Sequence, residues 1–420
     1  MAPASNPEFL PAPARMPPAW VVGGGLLSFG LVVGFTITAL PFLLTHAGVP
    51  LYRAAGVSAV VMSPTFWGFL LQPIMDTGLT RRAYCWLMAA IAAVCLGAAL
   101  ILLSPARLPL TTALLLVAEL AMVLYSGAVT GWIAEFTPDE RRGIVSGWTN
   151  VANLGGGAAG SLAIMSLARR MPRPELALGM GVVILLCVSP TLWFPRPGRS
   201  SFRFREIITK ALQATWRACK TPECLTGFAL FLAPASAEAA INLFSGMGPD
   251  FHTAPTTVIW VTGAGCAATA SIGALLGGWL ADRVSRGLLY LGAGMITGVL
   301  AIGLAFAPHT PGTFIFGALV YNGLAGVVYA AFNALGWQIV GKKTAVASTQ
   351  LGLFSAAINA AIVYMTWADG RGFKHFGVQG LLLTDGLAAL IAGGLLLAFL
   401  GRRLSRRRPV AQPAVPATTE

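Results

Sequence analysis

The chain has 420 residues, of which 56% are hydrophobic and 10% are charged, and its formal net charge is +13. A soluble domain carries about 25% charged residues, so this composition excludes a soluble globular protein and indicates a membrane protein with many spans. The net charge does not indicate nucleic-acid binding, because most cationic residues lie in loops on one side of the predicted topology. The cysteine spacing predicts neither a metal site nor a disulfide framework, and the sequence indicates no cofactor.

Twelve apolar runs, each long enough to cross a bilayer, predict an all-α membrane protein with twelve transmembrane helices. The runs are 20–46, 54–76, 84–104, 109–135, 143–168, 175–195, 223–248, 256–281, 287–307, 312–340, 344–367 and 378–401. They predict a flexible N-terminal tail (1–19), an N-terminal six-helix bundle (20–195), a connector (196–222), a C-terminal six-helix bundle (223–401) and a C-terminal tail (402–420).

The connector between the bundles is both basic and periodic. Apolar residues recur in it at every fourth position, at Phe204, Ile208, Leu212 and Trp216, with basic residues around them. This pattern favours an amphipathic helix that lies in the headgroup region of the bilayer, with a solvated basic linker as the alternative.

The distribution of charge fixes the predicted orientation. Of the 28 Lys and Arg residues, 21 fall on the side of the membrane that holds both termini. Cytoplasmic loops carry the excess of positive charge, so both termini are predicted to be cytoplasmic in a multi-pass protein of a bacterial plasma membrane. Arg169, Arg170 and Arg173 run against this rule.

Two charged turns recur at similar places in the two halves. One contains Gly278, Asp282, Arg283 and Arg286, and the other contains Asp76, Arg81 and Arg82. Charges at the end of a hydrophobic helix can stay solvated, pair and fix two helices at one angle. With the pairs Gly131-Trp132 and Gly336-Trp337, these turns share a spacing of about 200 positions. They predict two six-helix pseudo-repeats, an architecture of transporters with a substrate site between the repeats near mid-membrane.

With these turns and repeats, the chain resembles the major facilitator superfamily over roughly residues 18–402. The family's signature is Gly, three residues, Asp and a basic residue, which the second turn fits with Ser285 where Gly is usual. The first turn departs from it at Gln72 and Thr77. The resemblance implies the family's fold and a cytoplasmic gate formed by Asp76, Arg81, Gly278, Asp282, Arg283 and Arg286.

The resemblance also implies a function. It implies a monomeric secondary active transporter, not an enzyme, whose partners are the lipid bilayer, a small-molecule substrate and protons. Loop residues Pro73, Trp86, Glu135 and Pro138 look like the muropeptide permease and acetyl-CoA transporter branch. Two alternatives stay open: a drug or metabolite efflux pump, although helix 5 lacks the Gly-Pro motif of drug antiporters, and a non-transporting receptor or assembly factor.

Three acids lie well inside apolar runs: Glu119 in the fourth, Glu238 in the seventh and Asp385 in the twelfth. In the resembling fold, helices 1, 4, 7 and 10 line the cavity. Removal from water favours the protonated form of a carboxyl group, so Glu119 and Glu238 are predicted proton-coupling residues. The alternative is a structural carboxyl that is hydrogen-bonded between helices or opens to a water-filled vestibule. Asp385 is interpreted as structural.

Polar residues on the predicted cavity helices and their neighbours are candidate substrate contacts, each with a helix-to-helix hydrogen bond as the alternative. They are Thr36, Thr38, Asn150, Asn153, Asn242, Asn322 and Asn333. No Lys or Arg lies deep in any run, which disfavours anionic substrates and leaves neutral, zwitterionic and cationic ones open. Pro234, four residues before Glu238, predicts a helix break near the cavity.

Overall fold

The protein is described by a computed structural model that covers residues 16–76, 79–137, 142–195, 213, 222–281, 283–340 and 347–404. All regular elements in these ranges are helical. In chain order the α-helices are α1 (Ala19–Gly24), α2 (Leu27–Gly34), α3 (Leu40–His46), α4 (Leu51–Met62), α5 (Pro64–Trp67), α6 (Arg81–Leu102), α7 (Leu108–Phe136), α8 (Arg142–Leu167), α9 (Arg173–Leu186), α10 (Pro222–Leu232), α11 (Phe244–Met247), α12 (Pro255–Trp260), α13 (Cys266–Ala281), α14 (Arg286–Ala305), α15 (Pro311–Val340) and α16 (Ala347–Leu404). Residues 1–15, most of the predicted connector and residues 405–420 lie outside the described ranges.

Eight stretches of the described chain are long and apolar enough to cross a membrane. They are Leu27–His46, Arg81–Leu102, Pro105–Ile133, Arg173–Trp193, Pro255–Ala281, Arg286–Ala305, Pro311–Gly336 and Gly352–Phe399. The last stretch holds two predicted runs, 344–367 and 378–401, and its helix turns between them at Phe376 and Gly377. Nine of the twelve predicted runs therefore form spans. The count of twelve stays a prediction.

The other three predicted runs differ in how continuous they are. The fifth run forms α8, which is helical over its length. The second run is divided between α4 and α5, and the seventh breaks after α10. Pro64 begins α5 and Pro234 begins a 3-10 turn. A proline has no N–H to donate to the preceding turn, so a new helical segment starts at each of these residues.

The chain divides into two compact units. Unit 1 comprises Met1–Val49 and Val60–Leu212, and unit 2 comprises Pro50–Ala59 and Gln213–Glu420. The division at 212–213 falls inside the predicted connector. Residues 51–59 of α4 group with unit 2. This segment packs on Gly370 of α16, where an added methyl group would overlap the Ala55 side chain. The sequence prediction assigned this segment to the N-terminal bundle.

Aromatic packing holds four helices of unit 2 together. Phe231 of α10 packs edge-to-face against Tyr290 of α14, Phe332 of α15 and Phe354 of α16, with ring centroids 5.3, 4.7 and 5.2 Å apart. Such pairs contribute about 0.5–1.5 kcal/mol each beyond the area that they bury. They fix the helices that surround the break in the seventh run.

Small residues set the closest helix crossings, as expected in a membrane, where lipid tails are as apolar as Leu and the backbones must approach to gain packing. A methyl group on Gly273 of α13 would overlap the Gly323 carbonyl oxygen of α15. One on Gly277 would lie 2.7 Å from the Val327 Cα atom. In unit 1, a methyl group on Gly34 of α2 would overlap the backbone of Gly157 of α8.

Gly273→Ala is expected to lower the stability of unit 2, because the added methyl group meets backbone atoms that cannot rotate away. Overpacking of this kind costs about 1–3 kcal/mol. The matched control is Gly278→Ala on the same helix, where an added methyl group meets nothing within 4 Å. Thermal unfolding in detergent should show a lower melting temperature for Gly273→Ala and an unchanged one for Gly278→Ala. Equal melting temperatures for the two variants would contradict the close contact of α13 with α15 at Gly273.

Candidate functional site

Glu119 of α7 lies beside the π turn Phe35–Ala39 that joins α2 to α3. Its Oε2 atom accepts a hydrogen bond from the Thr36 hydroxyl at 2.9 Å, and both side chains are 2% exposed. A π turn inserts an extra residue into a helix and occurs often at functional sites. The structure thus brings together, within unit 1, one predicted proton carrier and one predicted substrate-cavity residue.

The Thr36 hydroxyl has one hydrogen and two acceptors within reach. Its Oγ1 atom lies 3.1 Å from the Val32 carbonyl oxygen and 2.9 Å from Glu119. A hydroxyl donates one bond and can accept others. It can therefore donate to an ionised Glu119, or donate to Val32 while it accepts from a protonated Glu119. The contact suits both protonation states without a change of the backbone.

Glu238 stands in the break of the seventh run. The 3-10 turns Pro234–Ser236 and Ala239–Asn242 lie on either side of it, and its φ and ψ are 51° and 41°. This left-handed conformation costs about 1–2 kcal/mol for a residue with a Cβ atom. The predicted run 223–248 is therefore not one continuous helix, and its break is centred on the predicted proton carrier.

The Glu238 carboxyl group, like that of Glu119, has a threonine hydroxyl as its partner. The Thr297 Oγ1 atom of α14 lies 3.1 Å from Glu238 Oε1 and 3.0 Å from the Ala293 carbonyl oxygen. Each unit therefore contains a Glu whose partner is a Thr hydroxyl that also reaches the carbonyl oxygen four residues earlier. The two sites arise from different helices, since Thr36 precedes α3 and Thr297 lies in α14.

Asp385, in the second half of α16, accepts hydrogen bonds from the break in the seventh run. Its Oδ2 atom accepts a hydrogen bond from the Tyr321 hydroxyl of α15 at 2.7 Å. Its carboxyl group also accepts from the backbone N–H groups of Ala239 and Ala240, which directly follow Glu238. These N–H groups begin a short helical turn and have no partner of their own within it. The carboxylate satisfies them and so supports the break.

Asp369 is a buried acid that the sequence analysis missed. It is 0% exposed, and neither of its carboxyl oxygens has a hydrogen-bond partner among the described residues. The apolar run 344–367 predicts a helix that ends before Asp369, and the charged residues after it predict a loop. The helix continues to the turn at Phe376 and Gly377, where Gly377 has a φ of 61°. Gly370, Gly372 and Gly377 are each plausible helix ends by sequence, so the pattern alone did not select the last one.

The predicted substrate contacts divide into three groups. The Asn242 side chain donates to the Thr366 hydroxyl at 2.9 Å and so joins the break to α16. Asn322 and Asn333 each donate to a carbonyl oxygen of their own helix, at 2.9 and 3.1 Å. In the last group Asn150 is exposed, while Thr38 and Asn153 are partly exposed.

The predicted gate is described only in part, because Asp282 and the side chain of Asp76 lie outside the described residues. Arg286 donates to the carbonyl oxygen of Ala281 at 3.4 Å and to that of Ala334 at 3.3 Å, so it joins α13, α14 and α15. The Arg283 guanidinium stacks on the Trp279 ring at 3.9 Å. Arg81 lies against Gly131 of α7 in unit 1, and Gly278 faces open space.

The candidate spans and small-residue crossings define a class of protein, the multi-pass helical membrane proteins. The Major Facilitator Superfamily is the particular family whose sequence model matches, over residues 3–161. Together with the fold of the whole described chain, this match confirms the predicted resemblance and indicates a transporter rather than an enzyme.

Solved structures with this fold align with about nine-tenths of the chain. A D-xylose–proton symporter aligns with a TM-score of 0.70 at 14% identity, over 90% of this chain and 96% of the symporter. The nucleoside transporter NupG aligns with a TM-score of 0.69 at 12% identity, over 91% and 98%. The xylose transporter XylE from E. coli, in its inward-open conformation, aligns with a TM-score of 0.64 at 16% identity, over 91% and 95%. At these identities the likeness shows the fold.

No curated protein matches the chain significantly. The predicted likeness to the muropeptide permease and acetyl-CoA transporter branch is therefore not confirmed. What the comparisons establish is the family-model match over residues 3–161 and the fold.

Tyr321→Phe is expected to destabilise unit 2, because it removes the shortest hydrogen bond to the buried Asp385 carboxyl group. Loss of one partner of a buried charged group costs about 1–3 kcal/mol. Tyr329→Phe is the matched control, since Tyr329 lies on the same helix and is 59% exposed. Melting temperatures in detergent should fall for Tyr321→Phe alone. If both variants melt like the unchanged protein, Asp385 does not depend on this bond.

Proposed function

We propose that the protein is a proton-coupled secondary transporter of a small polar solute, working by alternating access. The observation that carries this proposal is the buried Glu119, whose partner is the Thr36 hydroxyl and which has no Lys or Arg within ion-pair distance among the described residues. We place it in a bacterial plasma membrane as a monomer with both termini in the cytoplasm, as the charge distribution favours.

The chemistry follows from burial without a counter-ion. A carboxylate in an apolar environment is unfavourable unless it is paired, so the group takes up a proton when it is sealed from water. When the site opens to water on one side, ionisation becomes favourable again and the proton leaves on that side. The Thr36 hydroxyl serves both states because it can donate to the anion or accept from the acid. Glu238 with Thr297 offers a second site of the same kind.

The substrate class is proposed from charge and from the relatives. No cationic side chain lies deep in the predicted spans, which leaves anions without a partner. The solved structures with this fold include a D-xylose–proton symporter, a nucleoside transporter and a peptide transporter. We propose a neutral or zwitterionic polar solute. The residues proposed to contact it are Thr38, Asn150, Asn153, Asn242, Asn322 and Asn333.

Efflux of lipophilic cations is the second candidate function. The observation that favours it is the excess of acids in unit 2, where the buried Asp369 and Asp385 and the partly buried Glu238 have no cationic partner among the described residues. The negative potential of these acids attracts cationic solutes towards unit 2 without a direct contact.

A thermal-shift screen separates the two candidates. A ligand that binds the folded state raises the melting temperature in a concentration-dependent way. Pentoses, nucleosides and dipeptides form one panel, and lipophilic cations form the other. We expect stabilisation by a member of the polar panel. Stabilisation by the cations alone would favour efflux, and stabilisation by neither would favour the non-transporting receptor.

Glu119→Gln is expected to abolish solute accumulation driven by a pH gradient, because glutamine keeps the hydrogen bond to Thr36 but carries no exchangeable proton. A pH difference of one unit can drive about a tenfold gradient of a solute that moves with one proton. In proteoliposomes we expect this ratio to fall to about one in Glu119→Gln, while exchange of labelled for unlabelled solute continues.

The matched control is Glu175→Gln, which changes an exposed acid at the start of α9. It should accumulate solute as the unchanged protein does. Glu238→Gln, measured in parallel, shows whether one or both carboxyl groups carry the proton. If Glu119→Gln, Glu238→Gln and the double variant all keep full accumulation, proton coupling through these residues is refuted.

A further inference from the structure

The two halves of α16 meet near a pair of buried acids. The helix reverses at Phe376 and Gly377, and the halves pack where Gly372 meets Gly380. Asp369 lies about one turn from this contact in the first half, and Asp385 lies little more than one turn from it in the second. A methyl group on Gly372 would also overlap the hydroxyl of Thr384, which directly precedes Asp385.

The surroundings of the two acids differ in hydrogen bonding. Asp385 accepts from the Tyr321 hydroxyl and from two backbone N–H groups, which stabilise its ionised form. Asp369 has no donor for either oxygen and is 0% exposed. A carboxylate with no donor and no water is strongly unfavourable, whereas a neutral carboxylic acid is tolerated. These contacts favour a negative charge on Asp385 and a proton on Asp369.

No cationic group neutralises the pair among the described residues. Facing it is Tyr321 from α15, whose hydroxyl donates to Asp385, and Glu238 directly precedes the two residues whose N–H groups donate to Asp385. On α16 itself, Arg371 stacks on the Trp367 ring, and Lys374 lies over the Tyr52 ring of α4. Arg53 of α4 donates to the Tyr52 hydroxyl. Each of these cations is therefore directed to an aromatic side chain.

We infer that Asp369 and Asp385 form a buried carboxyl pair in unit 2 that holds one proton and can take up a second. The size of the site favours a proton over a metal ion or an organic cation, because each Asp369 oxygen exposes less than 1 Å² and so leaves no room for a larger group beside it. The described residues also contain no group of three or more acidic, His or Cys side chains placed to hold a metal ion.

The pair is connected to the break at Glu238. Uptake of a further proton from water forms an O–H bond on Asp385 and removes its charge. The Tyr321 hydroxyl and the N–H groups of Ala239 and Ala240 then lose the carboxylate to which they donate hydrogen bonds. We expect the conformation of the break to be less stable when the pair is doubly protonated, and more stable when Asp385 has released its proton. This role in transport rests on the proposed function, but proton binding by the pair does not.

Infrared pH-difference spectra of the purified full-length protein test the pair directly, since they report the C=O stretch of protonated carboxyl groups without any substrate. We expect the unchanged protein to show, at neutral pH, a protonated-carboxyl component that is lost on alkaline titration. That component should be missing from Asp369→Asn and present in the exposed control Glu175→Gln. An Asp369→Asn spectrum equal to that of the unchanged protein would overturn the inference.

Asp385→Asn provides a second, independent measurement. Asparagine still offers an oxygen to Tyr321, so the fold is expected to persist, but the neighbouring negative charge is gone. The Asp369 component should then be lost at a pH lower by about one unit or more, a tenfold or larger decrease in proton affinity. An unchanged midpoint would show that the two acids do not share a proton. This result decides the question even if Asp369→Asn does not fold.

Discussion

The constraint on which the rest of the structure depends is the cost of burying a carboxyl group in a membrane without a cation beside it. Such a group is neutral, or it is stabilised by hydrogen-bond donors, and the protein uses both solutions. Glu119 and Glu238 each have a threonine hydroxyl that suits either protonation state. Asp385 has three donors, and Asp369 has none. The four acids therefore differ in what protonation does to their surroundings.

The donors of Asp385 explain why the chain is broken where it is. A left-handed Glu238 and two short 3-10 turns leave backbone N–H groups without helical partners, which is not tolerated in lipid unless protein groups satisfy them. Asp385 supplies that compensation from another helix, and the Tyr321 hydroxyl donates to Asp385 from a third. The stability of this break depends on the charge of Asp385, whereas the stability of a continuous helix would not.

Much of this could be read from the sequence, and the reasons for the exceptions are physical. The length and apolarity of the runs predict spans because a bilayer requires about 20 apolar residues per helix. Glu119, Thr36 and Glu238 stand out individually because polar groups are rare in such runs. That Thr36 meets Glu119, however, depends on the rotation of two helices and on a π turn, neither of which hydropathy records. Asp369 was missed because charged residues follow it closely and resemble a loop.

Proton movement that accompanies solute entry is the most direct measure of the central claim that buried carboxyl groups carry protons across the membrane. It can be followed with a pH-sensitive dye sealed inside proteoliposomes, to which a stabilising solute is added on the outside. The account predicts that the interior acidifies as solute enters, and that the interior pH stays constant in the Glu119→Gln, Glu238→Gln double variant. Solute entry into vesicles of the unchanged protein with no change of internal pH would contradict it.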